Sequence, residues 1–292
     1  KDIEIKLAVL TVLRNIPDSN VLPELHKLLE AEKDSGIKSS IISVLKVFND
    51  DSSIPSLLYT LKNADELTVM DAEELLDKLA SEKKLTVFCE AIKDNNLRVK
   101  SYAMKVMKRF PLGTTLPYVL IAINDKDIFL RKDAIEMLGV IGEKSTIDLI
   151  GKAIKDSNEE IRIAAIKSLA QIGDPSVTKY AAQLLRDKSA NVKLEAMKVL
   201  DQYGDKDSVN FIIKMLRSEQ DPIVRESAIM LLQKFGSKDL VPIFLRLVKD
   251  VEPAVRRASV IALGDFGDSN VVPLLHDIMN NDFATEVKLA AM

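Results

Sequence analysis

The chain has 292 residues, of which 47% are apolar and 29% charged; that is ample for a buried core, too charged for a membrane-spanning bundle and too apolar for a disordered chain. With 41 basic against 44 acidic residues the net charge is −3, which speaks against a wholesale nucleic-acid binder. A single cysteine, Cys89, excludes a disulfide framework and every multi-cysteine metal site.

An aliphatic residue followed by Lys or Arg recurs along the chain. It stands at Ile5-Lys6 and Ile37-Lys38, drops out at Val69, and returns at Val99-Lys100, Leu130-Arg131, Ile161-Arg162, Val192-Lys193, Val224-Arg225, Val255-Arg256 and Val287-Lys288. From Val99 onward the steps are 31, 31, 31, 32, 31 and 32 residues, and a fixed period of this length marks a repeat architecture. The unit around 66–95 is degenerate because Val69 lacks its basic partner.

Each unit reads as two helices. After the dipeptide, Ile161, Ala165, Leu169 and Ile172 keep helical spacing. Alanine recurs four residues after the aliphatic one, at Ala103, Ala134, Ala165, Ala196 and Ala228, where it lets neighbouring helices approach. Gly142, Gly173-Asp174, Gly204-Asp205, Gly236 and Gly267-Asp268 close the first helix, and glycine suits the left-handed position just past a helix end. Pro23, Pro55, Pro117, Pro242 and Pro273 fall in the first turn of the second helix, where the missing N–H costs little. Ser157 and Glu160 are spaced as a capping box. No strand alternation of useful length appears. The expectation is an all-α solenoid, a single array over 1–292 of about nine two-helix units sharing one continuous core.

No run approaches ~18 apolar residues, so no transmembrane segment is expected. The start, Lys1-Asp2-Ile3-Glu4, carries neither an initiator Met nor a signal-peptide pattern, and the end, Leu289-Ala290-Ala291-Met292, stops inside a helical pattern. The chain therefore reads as a cytoplasmic piece of a longer protein with incomplete terminal repeats.

Asp250-Val251-Glu252-Pro253-Ala254-Val255-Arg256-Arg257-Ala258 followed by Ala262-Leu263-Gly264-Asp265-Phe266-Gly267-Asp268 resembles the HEAT repeat of the short, phycobilisome-lyase-like type. The resemblance runs over nearly the whole chain and is weakest between 50 and 95. It implies an α-α superhelix with second helices on the concave side. Family members include bilin lyases, relatives of deoxyhypusine hydroxylase and of DNA glycosylases, and many scaffolds, so it speaks for fold more than for activity.

An aspartate stands six residues before the basic residue in Asp94/Lys100, Asp125/Arg131, Asp156/Arg162, Asp187/Lys193, Asp250/Arg256 and Asp282/Lys288. By analogy with the family these residues, together with Arg225, are expected to be a structural ladder in which each cation ties down inter-repeat loops through carboxylates of its own or the next unit.

Aligning the second helices on Ile154, Leu185, Leu216 and Val248 places Lys155, Arg186, Arg217 and Lys249 in one column and Lys152, Gln183, Lys214 and Arg246 in another, about 60° round the helix. These seven cations form a candidate basic ridge for an acidic peptide, an acidic protein face or phosphates; as ordinary solvated helix ends they would be diluted by Asp156, Asp187 and Asp250. A neighbouring apolar column, Leu58, Cys89, Leu120, Ala182, Ile213 and Leu245, joins Tyr59 and Ile121 in a candidate greasy patch or in the flank of the core.

Catalytic and metal-binding patterns are missing. His26 and His276 lie eight repeats apart, the histidine-glutamate motifs of the hydroxylases are absent, and no tryptophan supports base stacking. No cofactor or metal is expected. The function expected is a non-enzymatic scaffold for a protein or peptide, an acidic one where the ridge is the binding site, as a regulatory or assembly segment of a larger protein. Alternatives are an accessory subunit of a bilin lyase and nucleic-acid or anionic-headgroup binding through the ridge, nucleic acid being the less favoured partner.

Overall fold

The computed structural model describes residues 2–111, 113–204 and 206–292; Lys1, Leu112 and Asp205 lie outside the described residues, so the pair at 204–205 is seen only at Gly204. Among the described residues there are α-helices joined by short loops and single 3-10 turns, and no β-strand. The chain divides into two compact units, 1–137 and 138–292, with the division falling inside one helix.

Unit 1 contains α1 (Asp2–Asn15), α2 (Leu22–Ala31), α3 (Ser35–Phe48), α4 (Ile54–Asn63), α5 (Glu66–Leu79), α6 (Leu85–Glu90), α7 (Leu97–Arg109), α8 (Leu116–Ala122) and most of α9 (Ile128–Ile141). Unit 2 takes in the end of α9, then α10 (Ile147–Ala153), α11 (Glu159–Ile172), α12 (Thr178–Leu184), α13 (Ala190–Tyr203), α14 (Ser208–Leu216), α15 (Pro222–Phe235), α16 (Val241–Leu247), α17 (Pro253–Phe266), α18 (Val272–Asn281) and α19 (Thr285–Ala290). Odd-numbered helices are the first helices of the repeats and even-numbered ones the second. First helices pack on first helices, as in α1 on α3 or α13 on α15, and second helices pack on the next first helix, as in α4 on α5 or α12 on α13. The result in each unit is a two-layered stack of helix pairs, an α-solenoid, in which every pair covers the apolar face of its neighbour.

The alanine column explains the close stacking. Ala103, Ala134, Ala165, Ala196 and Ala228 are all fully buried. Helix starts are fixed locally: Asp34, Asp65, Asn96, Asn158, Ser189 and Asp221 stand just before α3, α5, α7, α11, α13 and α15, and their side chains accept backbone N–H groups of the first turn. The 3-10 turns before second helices use the same device. Asp18, Asp50, Asp174 and Asp268 each accept the N–H two residues on, and a proline follows within the first two positions of α2, α4, α8, α16 and α18.

Two local expectations are corrected. The cap of α11 is Asn158, not Ser157: its Oδ1 accepts from Glu160 and Ile161 because the helix begins one residue later than the Ser-Glu spacing suggested. Of the five glycines expected to close first helices, Gly142 and Gly173 adopt positive φ. Gly204, Gly236 and Gly267 are extended, and each is needed for a different reason: a Cβ would lie 2.2–2.5 Å from the carbonyl oxygen four residues back, which its own N–H bonds.

A close approach within unit 2 is the most sensitive point of the stack. A Cβ at Gly139 of α9 would stand 2.8 Å from Ser168 Cα on α11, and backbone cannot yield as a side-chain tip can. Gly139→Ala is expected to cost about 1–3 kcal/mol of stability despite the better helix propensity of alanine. A urea melt checks this, and an unchanged midpoint would contradict the packing.

Candidate functional site

The second helices α10, α12, α14 and α16 of unit 2 end in cations. Lys152, Lys214 and Arg246 sit in the last turns of α10, α14 and α16, while Lys155, Arg186, Arg217 and Lys249 stand at or just past the four helix ends. All seven are exposed. Carbonyls at a helix C-terminus favour positive charge, so each position is locally comfortable. Among the described residues, however, none of the seven forms a salt bridge or a side-chain hydrogen bond.

Other cations of unit 2 are engaged. Arg162 Nε and Nη2 donate to both oxygens of Asp187 at 2.7 and 2.8 Å, and its Nη1 donates to the carbonyls of Asp156 and Ser157. Arg256 does the same with Asp282, at 2.8 Å to each oxygen, and with the carbonyls of Asp250 and Val251. Arg225 Nη2 reaches Asp250 at 2.7 Å, and Lys193 pairs with Glu219. In unit 1, Lys100 reaches Asp125 at 2.6 Å. Each of these cations therefore grips its own loop through backbone carbonyls or helix position, and the following loop through a carboxylate.

The pairings differ from same-unit spacing. Asp94 is met not by Lys100 but by Lys62 of α4 at 2.6 Å, which supplies the charge missing beside Val69. Glu219, absent from the sequence ladder because it is a glutamate although it stands six residues before Arg225 like the aspartates, is the partner of Lys193. Arg131 donates to the carbonyls of Asp125 and Lys126, and Asp156 accepts the Asn158 N–H.

These rungs decide the field of the ridge. The side chains of Asp187 and Asp250 are 9% and 13% exposed and already neutralised. Burial alone would raise the Asp187 pKa, but the Arg162 fork and the Ser189 N–H hold it below the usual carboxylate range. The carboxylates that adjoin Arg186 and Lys249 in sequence are thus largely buried and paired. Arg186 and Lys214 line one cleft of about 950 Å³ between α12 and α14.

The apolar column does not make one patch. Leu58 and Cys89 are core, whereas Leu120 and Ile121 are 37% and 44% exposed and Tyr59 40%. Burial pushes the Cys89 thiol up to about 11, which disfavours a nucleophilic thiolate. Between α4 and α8 the face is polar and internally satisfied: Tyr118 donates to Glu90 at 2.8 Å and Lys93 pairs with Glu90 at 2.6 Å. In unit 2, Ala182, Ile213 and Leu245 are half-buried. On the other side of the ridge, unnoticed in the sequence, Leu149, Tyr180, Phe211 and Ile243 form a second apolar edge, with Phe211 42% exposed. Its spacing of three residues before Lys214 was the available signal. Among the described residues no group of three His, Cys, Asp or Glu is placed to hold a metal, and no helix is long and apolar enough to cross a membrane.

Stacked helix pairs with loop-clamping rungs define a repeat solenoid. The chain belongs to the HEAT-repeat family, whose repeat model matches residues 147–233 and 209–292. No curated protein matches at a significant level. Among solved structures the chain is similar to the Escherichia coli protein YibA (19% identity, TM-score 0.54, 89% of this chain and 96% of that one). It is also similar to Kap95p, from a structure with RanGDP (14% identity, TM-score 0.56, 91% and 43%). A third is the karyopherin Kap121p bound to the extreme C-terminus of the protein phosphatase Cdc14p (13% identity, TM-score 0.55, 98% and 39%). The chain spans less than half the length of Kap95p and Kap121p. At these identities the likeness is one of fold.

Proposed function

We propose that this protein is a non-catalytic scaffold that binds an acidic protein or peptide through the second-helix face of unit 2, as a regulatory or assembly segment of a larger protein. The observation that carries the reading is seven exposed cations that form no salt bridge or side-chain hydrogen bond, beside Asp187 and Asp250, which are already paired. Seven like charges left free while neighbouring cations are paired raise the local potential and steer an acidic partner. The repeat period, unbroken across residue 137 (Leu130-Arg131 to Ile161-Arg162 is 31 residues), supports one array rather than two independent domains. Fold relatives such as Kap121p, bound to a segment of another protein, support a role in protein recognition.

The test is charge reversal. Lys214→Glu with Arg217→Glu is expected to weaken binding of a fluorescent oligoglutamate peptide at least about tenfold, with the thermal midpoint unchanged because neither side chain is paired. Lys238→Glu, an exposed cation off the ridge, serves as control and leaves binding unaltered. Binding of the unmodified chain is expected to fall steeply between about 50 and 300 mM salt. Insensitivity to both the reversal and salt refutes the ridge.

A further inference from the structure

The ridge has a spacing as well as a sign. Lys155, Arg186, Arg217 and Lys249 occur once per repeat, 31, 31 and 32 residues apart, at or just past the ends of successive second helices. The Tyr180 hydroxyl of α12 donates to Asp148 of α10 at 2.5 Å, with its ring against Gly151, and α12 packs on α14. Packed helices lie about 8–10 Å apart, so successive cations recur at about that interval. The companion column, Lys152, Gln183, Lys214 and Arg246, repeats the interval beside it.

Three backbone conformations could follow such a line. In a β-strand, residues three apart cover about 10 Å but point to opposite faces. An α-helix brings residues seven apart into phase at about 10 Å, but a docked helix needs an apolar floor for its apolar face. The eight positions of the two columns hold seven cations and Gln183 and no apolar residue. A polyproline-II helix has three residues per turn and a rise of about 3.1 Å per residue, so every third side chain faces one way at about 9.3 Å. Its backbone is fully solvated, and its free carbonyls can accept from Lys, Arg and Gln donors.

We infer that the ridge of unit 2 takes a polyproline-II segment of a partner protein carrying an acidic residue at every third position, one carboxylate per repeat. This rests on the scaffold reading above and specifies its ligand. The half-buried apolar columns on either side, Ile213 and Leu245 on one and Phe211 and Ile243 on the other, edge the track and meet the intervening prolines.

The experiment titrates the whole chain, by fluorescence anisotropy, with a peptide of four Glu-Pro-Pro triplets and with a composition-matched peptide whose four glutamates are contiguous. A helical peptide with one glutamate per heptad and an oligothymidylate complete the set. The expected result is that the triplet peptide binds about tenfold more tightly than the contiguous one, and that this advantage disappears in Arg217→Glu and, separately, in Lys249→Glu. Circular dichroism melts confirm that both variants are folded. Equal binding of the two proline peptides overturns the spacing and leaves the acidic-partner reading standing. Tightest binding of the heptad peptide, or of the oligothymidylate, overturns it in favour of a helical partner or of nucleic acid. Absence of binding to every acidic peptide overturns the ridge reading itself.

Discussion

Arg162→Ala is expected to lower the unfolding free energy by about 3–5 kcal/mol, the usual cost of deleting one partner of a buried ion pair. The substitution leaves the Asp187 carboxylate, whose side chain is 9% exposed, without its fork, and removes the donor from the Asp156 and Ser157 carbonyls. Arg162→Lys recovers only part, because an ammonium cannot reproduce two parallel bonds to one carboxylate together with the carbonyl contacts. Arg225→Ala is expected to cost less. Arg225 touches a single oxygen of Asp250 and a single carbonyl, that of Gln220, and its Nε is buried without a partner, so less is lost. Urea melts of the three variants give the order Arg162→Ala, then Arg225→Ala, then Arg162→Lys in decreasing damage. A larger loss at Arg225 than at Arg162 would refute the assignment of strength to the bidentate fork. None of these changes removes an exposed cation, but Arg162→Ala and Arg225→Ala leave Asp187 and Asp250 uncompensated beside Arg186 and Lys249, so acidic-peptide binding by the folded protein should weaken without being abolished.

Acidification is expected to exceed any single substitution, because it disarms all rungs together. Asp282 is held below the usual range by the Arg256 fork. For Asp125, Asp187 and Glu219, burial pushes upward but hydrogen bonds from backbone N–H groups and from Lys100, Arg162 and Lys193 pull the balance down. A carboxylate whose folded pKa lies below its unfolded value stabilises the fold at every pH above the unfolded value. That contribution is lost as pH falls through the folded value. With unfolded values near 3.9 for Asp and 4.3 for Glu, stability should be nearly flat from about pH 8 to 5 and fall steeply below about pH 4. Urea midpoints across that range check this; a decline centred near pH 6 would point to histidine instead.

The fold was legible because a period of 31–32 residues repeats both the pattern of burial and the punctuation. The alanine column, the prolines and the aliphatic-basic dipeptide each name a position in a helix pair, and the structure fills each position accordingly. What failed was finer than the period. Extended Gly204, Gly236 and Gly267 look like left-handed closers in sequence, because a glycine required by a nearby carbonyl is written the same way as one required by positive φ. The pairings of Lys62 with Asp94 and of Lys193 with Glu219 were hidden because a salt bridge is satisfied by the location of a charge, which can come from a different helix or from a glutamate in an aspartate column. The ridge residues themselves were readable from helical spacing. Their freedom from partners was not, since it depends on where Asp187 and Asp250 point.

The rungs join each loop only to its immediate successor, as Arg162 to Asp187 and Arg256 to Asp282. Under tension applied along such a chain the load passes through one clasp at a time. Unit 2 should then lengthen in discrete increments, each the release of a single helix pair, and should give way first where the clasp is a single prong, at Lys193 or Arg225.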